Sequence, residues 1–124
     1  SLEAARDCDV VFLAVSGDFA EEWAEKIAEN DGALVIDNSS AFRYKEDTPL
    51  CVPEINADAA RKSKKNIIAN PNCTTAIALM ALAPLHNEFG IKRCIMSTYQ
   101  AASGAGAPGM KELEDGAAQF VKGE

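Results

Sequence analysis

The 124 residues are 48% hydrophobic and 25% charged, enough apolar material for one packed core. With 19 acidic residues against 12 basic ones the net charge is −7, a balance that disfavours nucleic acid and anionic membrane as partners. No apolar run approaches the roughly 18–20 residues that a membrane span requires.

Cys8, Cys51, Cys73 and Cys94 are widely spaced and contain no CxxC pair. That spacing matches neither a zinc site nor a disulfide framework, so no metal is expected and the thiols are read as reduced and intracellular. Ser1 to Asp7 resembles neither a signal nor a transit peptide, and a first residue other than Met is read as the interior of a longer protein.

Val10-Val11-Phe12-Leu13-Ala14-Val15 is an unbroken apolar run rich in β-branched residues. It predicts a strand buried on both faces, as in a parallel sheet. Ser16-Gly17-Asp18 breaks the run, and Asp18 with Glu21 has the pattern of a capping box that opens a helix. Phe19, Trp23 and Ile27, beside Ala20, Ala24 and Ala28, form its apolar stripe, while Glu21, Glu22, Glu25 and Lys26 face water. Asn30-Asp31-Gly32 ends the helix with residues that tolerate left-handed dihedrals. Ala33-Leu34-Val35-Ile36-Asp37 is a second buried strand, completing a right-handed β-α-β unit.

A loop from Asn38 to Thr48 follows, then a short strand near Leu50-Cys51-Val52 and a polar helix near Ala57–Ser63. The basic cluster Arg61-Lys62-Ser63-Lys64-Lys65 reads as a solvated helix end. Asn66-Ile67-Ile68-Ala69 is a further strand, stopped by Pro71. From Cys73 to Ala83 the sequence is strongly apolar and predicts a buried helix, with Pro84 kinking or shortening its last turn. After Gly90, residues 91–99 alternate apolar and polar positions and predict a half-buried strand. Ala101 to Gly109 reads as a small-residue loop, and a helix from about Met110 to Lys122 follows. The shift from alternating strands and helices to one apolar helix puts a domain boundary near residues 70–73, dividing the chain into 1–72 and 73–124.

Asn70-Pro71-Asn72-Cys73-Thr74-Thr75 sets a cysteine directly after a buried strand and in the first turn of a helix. Unpaired N–H groups at a helix start carry roughly half a positive charge and stabilise the thiolate that a nucleophilic cysteine uses. They can also hold an oxyanion forming on a bound carbonyl. A small apolar residue filling a helix–strand junction is the competing reading for Cys73. His86 is the single histidine, yet it lies well along the same helix. At about 1.5 Å per residue it is roughly 20 Å from Cys73, far beyond proton-transfer reach, so it is read as a surface or capping residue.

Asp37 to Arg43 begins at the carboxyl end of a parallel strand, where α/β sheets place ligands. Arg43 offers a fork for phosphate or carboxylate, or is a solvated loop residue. Ser103-Gly104-Ala105-Gly106 allows close backbone approach to a ligand, or is a plain connector. Gln100 either hydrogen-bonds a substrate or caps its strand.

Four ordered segments resemble the aspartate-semialdehyde dehydrogenase family: Val35-Ile36-Asp37-Asn38-Ser39-Ser40-Ala41-Phe42-Arg43, Val52-Pro53-Glu54-Ile55-Asn56, Asn70 to Thr75, and Ser97-Thr98-Tyr99-Gln100 to Gly106. The resemblance runs nearly end to end. It implies an α/β fold, the second half of a Rossmann-type parallel sheet (1–72) followed by the start of a glyceraldehyde-3-phosphate-dehydrogenase-like α+β catalytic and dimerisation domain (73–124). It further implies reductive dephosphorylation of L-4-aspartyl phosphate to L-aspartate 4-semialdehyde with NADP, in lysine, threonine and methionine biosynthesis.

The roles implied are Cys73 as acyl-thioester nucleophile, Gln100 as the group that contacts substrate and orients its carbonyl, and Arg43 and Asn72 as phosphate-binding groups. Ser103 and Gly104 resemble residues that touch NADP, and Asn38 one that lies beside the nicotinamide. The same resemblance implies a homodimer or homotetramer, in the cytoplasm or a plastid stroma, binding aspartyl phosphate or aspartate semialdehyde and phosphate. It places the glycine-rich phosphate turn before Ser1, and the catalytic histidine, a substrate-binding arginine and a phosphate-binding lysine beyond Glu124. On those grounds the isolated 124 residues are expected to be inactive, acting only as a binding or structural piece.

N-acetyl-glutamyl-phosphate reductase is the nearest rival, but it tends to Gly before the cysteine and to Asp-Phe-Arg where Ala41-Phe42-Arg43 stands here. A redox sensor at Cys73 would need a resolving thiol nearby, and nothing in the sequence marks Cys51 or Cys94 as one.

Overall fold

A computed structural model describes residues 1–123. Two compact units divide the chain, Ser1–Lys92 and Arg93–Glu124. The first holds α1 (Leu2–Arg6), β1 (Val10–Leu13), α2 (Gly17–Ala28), β2 (Leu34–Asp37), α3 (Pro53–Arg61), β3 (Ile67–Ala69) and α4 (Cys73–Phe89). The second holds a 3-10 turn, Ala102–Ala105, and α5 (Gly106–Lys122).

The three strands pair in the order β1-β2-β3, all parallel, with Val11 opposite Val35 and Leu13 opposite Asp37; β3 sets Ile67 beside Val35 and Ala69 beside Asp37. Alternation along the strands therefore gathers Val11, Leu13, Val35, Ile67 and Ala69 on one face. There they join Ala20, Ala24, Ile27 and Ala28 of α2 in the core, as the helix stripe predicts. The other face carries Phe12, Ile36 and Ile68, and Phe12 is 73% exposed. β1 is thus covered on one face rather than two: Leu13 is buried while Phe12 is exposed, and β1 lies at the edge of the sheet formed by the described residues.

Ser16, not Asp18, caps α2: its hydroxyl accepts from Phe19 N at 3.4 Å, while Asp18 sits in the first turn, where a negative charge suits the dipole. Arg6 of α1 donates to the carbonyls of Lys26 and Glu29, both at 2.9 Å, closing the far end of α2. Asn30 and Asp31 take positive φ there, as anticipated.

The Asn38–Thr48 loop is anchored by Phe42, whose ring is 1% exposed in the core. Leu50 makes a single parallel bridge to Ala69, so the expected short strand shrinks to one pair. α3 begins at Pro53, earlier than predicted, because proline is pre-shaped for a first helical turn. Asn56 leaves helical geometry, accepting from Val52 N at 2.8 Å and donating to Leu50 O at 2.9 Å. Lys65 ties the far end of the loop to α2, reaching Asp47 at 2.7 Å and Glu25 at 2.9 Å.

α4 runs without interruption through Pro84 to Phe89 and stops at Gly90, in left-handed geometry. None of its residues is buried, and Ile77 is 72% exposed. The sequence predicts burial because the helix is apolar all round, but burial needs neighbours. Here it shares only a groove of about 340 Å³ with α3, lined by Ile55, Leu79, Leu82 and Ala83 among others.

In the second unit, residues 91–100 form no strand. Alternation is a requirement for a half-buried strand, but a ladder also needs a hydrogen-bonding partner, and none is present among the described residues. The expected loop at 101–109 is largely ordered as the 3-10 turn and the start of α5. Pro108 falls in the first turn of α5, where a missing N–H costs nothing. Gly109 lets the turn approach the helix: an added Cβ would stand 2.8 Å from Ala102 O.

Candidate active site

At the carboxyl edge of the sheet the parallel ladder continues one residue past each strand. Asn38 N donates to Leu13 O at 2.9 Å, and Asn70 N to Asp37 O at 2.8 Å. Asn38 and Asn70 therefore leave the sheet side by side, joined by a 2.7 Å bond from Asn70 Nδ2 to Asn38 Oδ1. Arg43 ties the same two residues through their backbones, Nε to Asn70 O at 2.9 Å and Nη2 to Asn38 O at 3.1 Å. Below them the buried Asp37 carboxylate accepts from Ser39 N at 3.0 Å and Ser39 Oγ at 2.8 Å, fixing the chain as it turns away.

Pro71 is buried, and Asn72 then caps α4. Asn72 Oδ1 accepts from Thr74 N at 3.0 Å and from Thr74 Oγ1 at 2.6 Å, with Cys73 Sγ at 3.9 Å. Cys73 occupies the first helical position and is exposed. Cys73 thus combines a helix start with access for a reactant. The other thiols are set differently. Cys51 is buried with Sγ 3.8 Å from Asn56 O, Cys8 donates to Ala4 O at 3.2 Å, and Cys94 lies outside any helix or strand.

His86 closes α4 instead of addressing Cys73. Its Nδ1 accepts from Ile91 N at 3.2 Å and its carbonyl from Gly90 N at 2.8 Å. In the second unit Gln100, Ser103 and Gly104 form a local group, in which Gly104 N donates to Ala101 O at 2.9 Å and a Cβ on Gly104 would overlap Gln100 Nε2.

Asn38, Arg43, Asn72 and Cys73 thus fall at the carboxyl end of the sheet in the first unit, and Gln100, Ser103 and Gly104 fall together in the second. Asn70 was not singled out. Its signal is the register, because pairing Asp37 with Ala69 makes the next two residues neighbours.

Electrostatics are concentrated at the opposite end. Hydrogen bonds that Lys65 donates to Asp47 and Glu25 hold its ammonium well above its ordinary 10.5, and the Lys65 bond holds the Asp47 carboxyl below its ordinary 3.8. Among the described residues no His, Cys, Asp and Glu cluster could hold a metal ion, and no helix is long and apolar enough to cross a membrane.

A parallel sheet with polar carboxyl ends, followed by a helix that opens on a thiol, is the frame of a dinucleotide-binding α/β domain. Residues 1–63 match the family model for the NAD binding domain of semialdehyde dehydrogenase, and residues 82–123 match its dimerisation domain. The chain belongs to the semialdehyde dehydrogenase family.

Among curated relatives, aspartate-semialdehyde dehydrogenase of Synechocystis sp. is 46% identical over 121 residues, covering 98% of this chain and 35% of the relative. That of Aquifex aeolicus is 45% identical over 94% of this chain and 34% of its own length. The chain therefore spans about a third of the curated relatives it matches. Among solved structures, aspartate semialdehyde dehydrogenase II of Vibrio cholerae complexed with ASA superposes with a TM-score of 0.79 at 41% identity, covering 96% of this chain and 35% of that one. Aspartate semialdehyde dehydrogenase with NADP from Candida albicans gives a TM-score of 0.54 at 30% identity, covering 68% and 27%.

Proposed function

We propose that these residues supply the nucleotide-facing strand ends and the nucleophilic thiol of an NADP-dependent aspartate-semialdehyde dehydrogenase. The observation that carries the reading is the place of Cys73, exposed at the first position of α4, three residues past the Asn38–Asn70 pair that ends the sheet. Exposed polar amides at the strand ends suit a bound dinucleotide. When bound, NADP supplies the hydride acceptor.

In the degradative sense, Cys73 thiolate adds to the aldehyde carbon of L-aspartate 4-semialdehyde. With the hydride given up to the acceptor, Cys73 holds the acyl group as a thioester, and a phosphate oxygen displaces the thiolate to give L-4-aspartyl phosphate. The biosynthetic sense reverses each bond change. N–H groups at the start of α4 hold the oxyanion, Arg43 and Asn72 hold phosphate, and Gln100 orients the carbonyl. Asn38, Ser103 and Gly104 contact NADP. His86 is engaged at the far end of α4, so the proton is carried by a group outside these residues. The division of labour falls at 72/73, cofactor side before it and catalytic and dimer-forming side after it, in a homodimer or homotetramer.

The test is phosphate-dependent NADP reduction by the protein expressed from its complete gene. Turnover with L-aspartate 4-semialdehyde that is lost in Cys73→Ala supports the reading. Faster turnover with N-acetyl-glutamate semialdehyde, or turnover that survives Cys73→Ala, overturns it. The 124 residues alone are expected to show none.

A further inference from the structure

We propose that Asn70 is a positioning residue that fixes the carboxamide of Asn38 as a hydrogen-bond donor toward the bound dinucleotide. The inference rests on the function proposed above and adds a residue to it.

A carboxamide has two unlike ends, an acceptor oxygen and a donor nitrogen, and rotation about its last bond exchanges them. For Asn38 the backbone is held on both sides. Its N–H is held by Leu13 O, its carbonyl by Arg43, and the turn after it by Asp37 and Ser39. Asn70 is held equally firmly, its N–H on Asp37 O and its carbonyl on Arg43 Nε. In the structure the 2.7 Å bond from Asn70 Nδ2 claims Asn38 Oδ1, which gives the pair its sense. Among the described residues Asn38 Nδ2 makes no hydrogen bond, so the amine end is the one presented at the carboxyl edge of the sheet.

Stability does not explain the pair. Both residues are exposed, water can satisfy either amide, and a hydrogen bond in that setting contributes little to folding. What the pair adds is direction: a donor of fixed sense where α/β sheets bind their ligands. An Asp at 70 cannot donate to Asn38 Oδ1. It would accept from Asn38 Nδ2 instead, turning the amide over and leaving the oxygen outward.

The experiment uses the protein expressed from its complete gene and compares Asn70→Ala, Asn70→Asp, Asn38→Ala and the Asn38→Ala/Asn70→Ala double variant. Expected is a Kd for NADP raised about 5- to 10-fold in Asn70→Ala, the worth of one misdirected hydrogen bond. It is read by calorimetric titration without substrate, and the KM for NADP should rise in step. The KM values for aldehyde and phosphate should stay within about twofold. Asn70→Asp, nearly the same shape, raises the Kd for NADP at least as far. In the Asn38→Ala background the Asn70 change adds nothing, because its route to the cofactor is gone. If Asn70→Ala and Asn70→Asp both leave the Kd for NADP unchanged, or if Asn70→Ala multiplies the Asn38→Ala effect, the inference is overturned while the proposed function stands. A protein without NADP-dependent turnover overturns both.

Discussion

Phe42 and Arg43 are adjacent in the chain and do opposite work: the Phe42 ring is sealed in the core, while the Arg43 guanidinium clasps the carbonyls of Asn38 and Asn70. One residue fixes the loop from below so that the next can hold the strand ends from above. Phe42→Ala is therefore expected to cost about 3–5 kcal/mol of stability, as for other buried aromatics. It should also weaken phosphate and NADP binding together. Urea unfolding and the two KM values check it, and unchanged KM values in a folded variant would refute the coupling.

Cys73 is expected to be the most reactive of the four thiols near neutral pH. It combines exposure with a helix start, whereas Cys51 is buried and Cys8 and Cys94 lack the helix start. Timed iodoacetamide labelling with peptide mapping gives the ranking, and equal labelling of Cys94 would count against the helix-start contribution. In the complete protein Cys73→Ser should lower turnover at least about 1,000-fold while leaving NADP affinity nearly unchanged.

Gly104→Ala separates a local clash from a folding defect. The added methyl meets the far end of the Gln100 side chain, which can swing aside, so the fold survives and Gln100 loses its place. Turnover should fall with the thermal midpoint nearly unmoved. Gly109→Ala behaves differently, because its methyl meets the Ala102 carbonyl oxygen, which cannot swing aside, so helicity of the second unit should fall.

The Lys65 clamp gives stability a particular pH dependence. Asp47 is shifted down in the folded chain, so its contribution is present above its ordinary value of 3.8 and is lost as pH falls through the lower folded value. Lys65 is shifted up, so its contribution is present below its ordinary 10.5 and is lost only as pH rises through the higher folded value. Lys65→Met should therefore lower the unfolding midpoint across the neutral range, and the difference from the unaltered chain should close in acid. Because both partners are exposed, added salt should also narrow it.

Much of the first unit was legible because its signals are local. β-Branched runs mark the three strands, a four-residue apolar repeat marks α2, and Asn72-Cys73 marks the start of α4. α1 was missed because its five residues have no apolar stripe long enough to read. Residues 91–99 were misread because alternation says what a strand would bury but not whether a neighbouring strand exists. The Asn38–Asn70 bond joins positions far apart in sequence and becomes visible only with the register. Family motifs named Cys73 and Arg43, yet only the geometry shows that Arg43 spends two donors on backbone carbonyls.

The uncovered face of the sheet matters in time as well as in space. By the moment residue 70 leaves the ribosome all three described strands exist, and each crossover between them is local, so the plate can form at once. Its uncovered face sets the exposed Phe12 ring beside half-buried Ile36 and Ile68, with β1 unpaired on its outer side among the described strands. Holdase chaperones grip such surfaces, and copies of the same chain stick to them. A polar replacement of Phe12 is therefore expected to lessen aggregation during refolding more than it changes the core on the other face.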